Sequence, residues 1–283
     1  MAGMPEEIPQ PSVVVSIGEI LWDVFADSER LGGAPFNFAV HARRLGHNVV
    51  FVSAVGDDPR GHRARDRAAG LGLPAEFIQV LPGVPTGAVS VTTDSAGQPS
   101  FTIHRPAAYD GLRLDAAALE RIAGSRPSWI YFGTLIQSDP RARRQVADLI
   151  HALPSARRFY DVNLRTGCYT PGLVRELLAL ADVVKLNHDE AREFPELEDF
   201  SAVAITRGAD GCQVRIDGDR AECPGYPVTV ADTVGAGDAF AAAFLHGLDQ
   251  GWSAARTGDF ANRLGALVAS QPGALPDWSL DQI

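Results

Sequence analysis

Short apolar runs alternate with helix-length segments along most of this chain, and no other feature limits its fold as much. The runs are Ser12–Gly18, Asn48–Val55, Trp129–Phe132, Arg158–Arg165, Asp182–Asn187 and Ala202–Thr206. A short, nearly continuous apolar run is the signature of a strand covered on both faces. Between them, Leu31–Gly46, Arg60–Leu71, Leu114–Ala123, Arg141–His151 and Leu173–Ala181 read as helices. Pro35 at a first helical position and Gly46 just past the end punctuate the first of these. Strands joined through helices run parallel, with right-handed crossovers. The pattern therefore predicts an α/β fold, a doubly wound, mostly parallel sheet flanked by helices. One stretch breaks it. Ala88–Thr93 and Ser100–Arg105 alternate about a turn-rich segment, Asp94–Pro99, with no helix between, which describes an antiparallel hairpin. Such a hairpin reads as a small appended sheet, a lid. No repeat, low-complexity tract or charged linker divides the sequence, so residues 1–283 are expected to form one domain, with a β lid from about 24–33 and 86–108.

Composition removes several classes of function. A formal charge of −10, from 25 Lys and Arg against 35 Asp and Glu, argues against general binding to nucleic acid or anionic membranes. A bound nucleotide stays compatible with it, because local dipoles and Mg²⁺ can manage phosphates. Cys168, Cys212 and Cys223 are odd in number and far apart, giving neither a disulfide framework nor a metal spacing. Met1–Pro11 is acidic and proline-containing, unlike a signal peptide, and no apolar run nears the ~18 residues of a membrane span. A cytoplasmic protein in a reducing compartment is expected.

The chemistry concentrates in Ala231–Phe240. Gly235 and Gly237 flank Ala236, Asp238 follows, and Phe240, Ala243, Phe244, Gly247 and Leu248 recur at helical spacing. A glycine turn opening a helix offers free N–H groups and a positive dipole end, which suit an anion. Asp238 lies in that first turn, where a carboxylate is favoured in its charged form. An anion pocket beside an ionised carboxylate suits phosphoryl transfer to a hydroxyl. A plain tight turn would use the same residues, so the stretch alone leaves both readings open. Elsewhere, Glu19 and Asp23 sit just past the first strand, where open α/β sheets hold ligands. Asn37, beside Gly32-Gly33, is placed to hydrogen-bond a polyol, whereas His41 reads as structural. By period two, Asp161, Asn163 and Arg165 fall on one side of a strand end.

Five motifs then occur in order: Gly32-Gly33-Ala-Pro-Phe-Asn37, Asp161-Val-Asn163-Leu-Arg165, Lys185-Leu-Asn187-His-Asp-Glu190, Thr206-Arg-Gly208-Ala-Asp-Gly211 and Asp232-Thr-Val-Gly-Ala-Gly-Asp238. Together they span nearly the whole chain and resemble the PfkB (ribokinase-like) family of carbohydrate kinases. The opening Gly18-Glu19-Ile-Leu-Trp-Asp23 is similar to its fructokinase-like branch. The resemblance implies ATP and Mg²⁺, with Asp238 as the base that deprotonates a sugar hydroxyl. The backbone of Val234, Gly235, Ala236 and Gly237 would form the anion hole, with Arg165 near the transferring phosphate. Asp23, Gly33 and Asn37 would hold sugar hydroxyls, and the hairpin from Phe101 to Arg105 would close over them and exclude water. His104 and Tyr109 lie in that lid without an assigned role. Asn187 and Glu190 would organise Mg²⁺ through its waters. Thr206, Gly208 and Gly211 would line the nucleotide site, and Asn262 with Gly273-Ala274 would fall near the adenine. Asp232 and nearby carbonyls match a monovalent-cation site, such as one for K⁺, in some members. A homodimer through the lid is also implied.

The chain departs from the family in one place. Only fifteen residues separate Glu190 from Thr206, so the wall beside the nucleotide is expected to be reduced. The sequence is thus read as an ATP-dependent sugar kinase whose acceptor is a ketohexose such as fructose. The alternatives are a kinase for 2-keto-3-deoxygluconate, ribose or a nucleoside, and a non-catalytic binding relative, which would have no need of Asp238. An acidic sugar would want an added cation near the lid, for which Arg105 is the obvious candidate.

Overall fold

The computed structural model describes residues 11–93 and 99–283. The N-terminal segment 1–10 and the expected hairpin turn at 94–98 lie outside the described residues. In chain order the elements are β1 (Val13–Ile17), β2 (Leu21–Val24), β3 (Glu29–Gly32), α1 (Ala34–Arg44), β4 (Asn48–Gly56), α2 (Pro59–Gly70) and β5 (Ile78–Leu81). There follow β6 (Gly87–Thr93), β7 (Pro99–His104), α3 (Ala116–Gly124), β8 (Trp129–Gly133), α4 (Pro140–Ala152), β9 (Arg157–Asp161) and α5 (Pro171–Leu178). The last are β10 (Val183–Asn187), α6 (His188–Glu193), β11 (Ala202–Thr206), β12 (Cys212–Ile216), β13 (Asp219–Cys223), α7 (Ala236–Asp249) and α8 (Ala254–Ala269).

Nine strands form the main sheet in the order β13-β12-β11-β10-β9-β8-β1-β4-β5. From β11 to β5 every pairing is parallel, while β12 and β13 return as antiparallel strands at one edge. The chain winds outward from β1 in both directions, and the crevice at such a reversal is where open sheets place ligands. One face packs against α1, α2, α7 and α8, the other against α3, α4 and α5. Helix α7 is the central buried helix. Its Phe244 is fully buried and meets Phe159 of β9 edge-on at 5.8 Å, while Phe38 of α1 stacks on Tyr131 of β8. Asp58, Asp115, Asp139, Thr170 and Ser253 cap α2, α3, α4, α5 and α8 by accepting backbone N–H groups.

A second sheet has the order β3-β2-β6-β7, antiparallel except for β2 against β6. Two expectations from the sequence change here. Asp23 was expected in a loop past β1, but Leu21–Val24 forms β2, so Asp23 belongs to the small sheet. The strand expected to run to Arg165 stops at Asp161. Asn163 takes a left-handed φ of 38°, so strand alternation is lost, yet Asp161, Asn163 and Arg165 still line one small cavity at the strand end.

Candidate active site

The start of α7 is shaped by its neighbours. Asp232 Oδ1 accepts the Val234 N–H (3.0 Å), and Oδ2 accepts the Gly273 N–H (3.1 Å). Gly235 then turns with φ 81°, and a Cβ there would lie 2.5 Å from the Ala274 Cβ, so only glycine fits. The Ala236 N–H donates to the Thr233 carbonyl, and those of Asp238 and Ala239 to the Gly235 carbonyl. The amides of Gly235 and Gly237 have no protein acceptor among the described residues. Two unused donors at the positive end of a fourteen-residue helix make an anion site.

Asp238 lies one residue further, only 8 % exposed, and its Oδ2 accepts the Asn37 side-chain N–H at 2.8 Å. Its carboxyl is pushed up to about 6, chiefly by burial, against the amide of Asn37 and the cations Lys185 and Arg165. The helix start was expected to favour the charge, but desolvation outweighs it. A carboxyl tuned toward neutrality is better suited to accept a proton and later release it.

Around Asp238 lies a cavity of about 360 Å³, lined by Glu19, Asp23, Gly33, Asn37, Phe101, Asn163, Arg165, Lys185 and the first turn of α7, among others. Gly33, with φ 113°, brings α1 against the Glu19 carbonyl, where a Cβ would sit at 2.5 Å. Burial raises Glu19 to about 7 and Asp23 to about 6. One buried oxygen of Glu19 has no partner among the described residues. Lys185 pairs with Asp161 at 3.0 Å across neighbouring strands, and Tyr131 donates to the same carboxylate at 2.8 Å. Burial opposes the Lys185 charge, yet Asp161, Glu190 and Asp238 outweigh it and raise its pKa. A Cβ on Gly237 would lie 3.3 Å from this ammonium, which therefore borders the anion site.

A second cavity, of about 600 Å³, opens on the other side of the α7 start. Thr206, Gly208, Gly211 and Asn262 line it, together with Tyr226, Val228 and Val230. Thr233 and Gly237 border both cavities, so the two meet at the anion site. Asn262 donates to the carbonyls of Cys223 and Pro224 and so holds the cavity wall. The mostly apolar walls, ending on unused amides, fit a nucleotide lying base-outward with its phosphates on α7.

Other expected site residues stand elsewhere. Arg105, expected at the sugar, ion-pairs with Asp110, bonds Ser138 and lines neither cavity. The partner lies only five residues on in the chain. Asn187 and Glu190 form a capping box at the start of α6: Asn187 Oδ1 accepts the Glu190 N–H, and Glu190 Oε2 accepts the Asn187 N–H. Glu190 Oε1 holds the Leu164 N–H at 2.7 Å. Both Glu190 oxygens thus already hold a backbone N–H, and among the described residues no group of three or more His, Cys, Asp or Glu is placed to hold a metal. His104 is exposed against Ser90, and Tyr109 is fully buried under Gly87. Glu19 and Lys185 were noted in the sequence without a role. A lone lysine inside Val183-Val-Lys-Leu186 signalled a buried ion pair, because a charge in a core strand needs a partner.

A sheet reversing beside β1, with two cavities joined at a helix start and a buried carboxylate between them, describes a ribokinase-like phosphotransferase. A family model described as pfkB family carbohydrate kinase matches residues 13–280. The chain belongs to that family, in its fructokinase-like branch, and is a sugar kinase. It is 30% identical to a protein of Pyrococcus horikoshii named putative sugar kinase, over 94% of this chain and 92% of that one. The crystal structure of that protein in complex with ATP superposes with a TM-score of 0.83, at 29% identity over 95% of this chain and 96% of the other. A fructokinase of Escherichia coli is 31% identical, over 92% of this chain and 94% of its own length. A Vibrio cholerae fructokinase solved with fructose, ADP and calcium gives a TM-score of 0.79 at 25% identity, covering 93% and 94% of the two chains.

Proposed function

We propose that this kinase transfers the γ-phosphoryl group of ATP to a hydroxyl of a neutral ketohexose such as fructose. The observation that carries the reading is Asp238, buried in the smaller cavity one residue from the glycine that both cavities share. Asp238 takes the proton of the attacking hydroxyl, the new oxygen–phosphorus bond forms as the bond to the β-phosphate oxygen breaks, and ADP leaves. The amides of Gly235 and Gly237 hold the equatorial oxygens, with Lys185 and Arg165 as nearby cations. Asp23, Asn37 and the Gly33 turn bind the sugar, with Phe101 over it. Thr206, Gly208, Gly211 and Asn262 shape the nucleotide side. Mg²⁺, when bound, spreads phosphate charge; it would ride on the nucleotide's oxygens, with Asn187 and Glu190 reaching it only through water.

Charge supports a neutral acceptor. Glu19, Asp23 and Asp238 all border the sugar cavity, and Arg105 is spent on Asp110. Of the two cations on the same wall, Lys185 is paired with Asp161, so a sugar carboxylate would meet three carboxyl groups with Arg165 alone to offset them. The relatives bearing the name fructokinase support the same class. The test is ADP release across ketoses, aldoses, aldonates and nucleosides, beside Asp238→Asn. The expected result is turnover on fructose, weak turnover on aldonates, and a loss of about 10²–10⁴ in kcat for the variant. A variant as fast as its parent, or a parent that binds sugar but phosphorylates none, sinks the reading; the latter is the behaviour of a binding relative.

A further inference from the structure

The acidic residue at the family's monovalent-cation position is already taken. Asp232 Oδ2 accepts Nη1 of Arg30 at 2.8 Å as well as the Gly273 N–H, and Oδ1 accepts the Val234 N–H. A carboxylate whose two oxygens hold three donors, one of them a guanidinium, is a poor ligand for a further cation. A bare ion on the same oxygens would face the Arg30 charge at close range. The Asp232 carboxylate, the charged member of that site, therefore does not fit a monovalent ion.

We propose that Arg30 is a built-in cation for the loop that precedes the anion hole, so that this kinase, if it acts as read above, needs no monovalent cation. Three observations make the guanidinium a fixed fitting. Arg30 lies on β3, paired opposite Asp23 of β2. Its neighbour Glu29 is tied to α2 by Arg60 (Nε, 3.0 Å) and Arg63 (2.7 Å), which anchors the strand on the other side. The guanidinium also sits over the Phe25 ring at 5.1 Å. Asp232 in turn holds the amide of Val234, directly before Gly235, and that of Gly273, next to the Ala274 against which Gly235 packs. The charge on Arg30 thus governs a carboxylate that orders both segments meeting at the anion hole. As a half-exposed pair it adds little to global stability. Its effect falls on where the amides of Gly235 and Gly237 point, making Arg30 a positioning residue.

The test compares the parent with Arg30→Met and Arg30→Lys, with KCl exchanged for tetramethylammonium chloride at constant ionic strength. Three quantities are read: kcat, affinity for a non-hydrolysable ATP analogue by calorimetry, and Tm. The parent is expected to be indifferent to K⁺ in all three. Arg30→Met should keep its Tm but lose about tenfold or more in kcat, in line with loosened oxyanion donors. Arg30→Lys should recover most of that loss. Restoration of Arg30→Met by K⁺ would mark the vacated charge site, though the loss and its rescue by lysine already suffice. A parent activated or thermally stabilised by K⁺ beyond tetramethylammonium overturns the proposal. So does Arg30→Met with parental kcat and nucleotide affinity. Should the parent phosphorylate no sugar, the kinase reading fails separately, and the calorimetric and thermal comparisons still decide the cation question. If Arg30→Met does not fold, Arg30→Gln takes its place.

Discussion

Asp238 is pulled in opposite directions by what surrounds it. Burial lifts its pKa, and the Asn37 amide, Lys185 and Arg165 bring it back to about 6. A base acts only when unprotonated, so kcat/KM should rise as pH climbs through about 6 and level off above. Removing the Asn37 amide deletes a stabiliser of the charged form, so Asn37→Ala should move that acidic limb to higher pH. A pH–rate profile of the two proteins checks this, and an unmoved limb would assign it to another group, such as Asp23. The Gly-Ala-Gly-Asp run and Asn37 at the start of α1 were legible from sequence, because turn chemistry and helix starts are local. The direction of the Asp238 shift was not. It depends on how deeply α7 is covered by β8, β9 and α1, which only the folded chain determines. Arg105 was illegible for the same reason: a lid arginine reads as a ligand contact until the fold shows it paired with Asp110.

Helix α7 begins where it does because Gly235 alone can take the required turn. Gly235→Ala would force a positive φ and a clash with Ala274, costing about 1–3 kcal/mol and disturbing the amides that follow. The expected outcome is a lowered Tm together with a disproportionate fall in kcat; a fall in Tm alone would separate the turn from the chemistry. Parallel strands and their helices were legible because a doubly covered strand is apolar throughout. The end of β9 was not, since nothing in Asp-Val-Asn-Leu-Arg shows that Asn163 turns left-handed while Glu190 captures the Leu164 amide. That capture makes Glu190 a bracket between two loops at the carboxyl ends of β9 and β10.

The molecule as a whole joins a nine-stranded sheet to a four-stranded one, and the smaller sheet supplies Asp23, Phe101 and Arg30 to the region above β1. Its edges, among the described residues, are β3 and β7, and Phe101 on β7 is 52 % exposed. Exposed edges favour pairing with a second copy, so sedimentation is expected to show a homodimer joined through these sheets. A single monomeric species across concentrations would remove that assembly. The order of the motifs made the overall architecture legible, whereas the meeting of the two cavities was not, because Thr233 and Gly237 belong to both only after α7 docks.

That shared border carries a consequence for ligand design. Since the two chambers share Thr233 and Gly237, a single molecule carrying a sugar at one end and an adenosine polyphosphate at the other would pass from one to the other at that border. Joining the halves makes the second contact intramolecular, and a tether matched to the span gains about 10²–10⁴ in apparent affinity over either half. The length that binds best would then serve as a ruler for the distance between donor and acceptor.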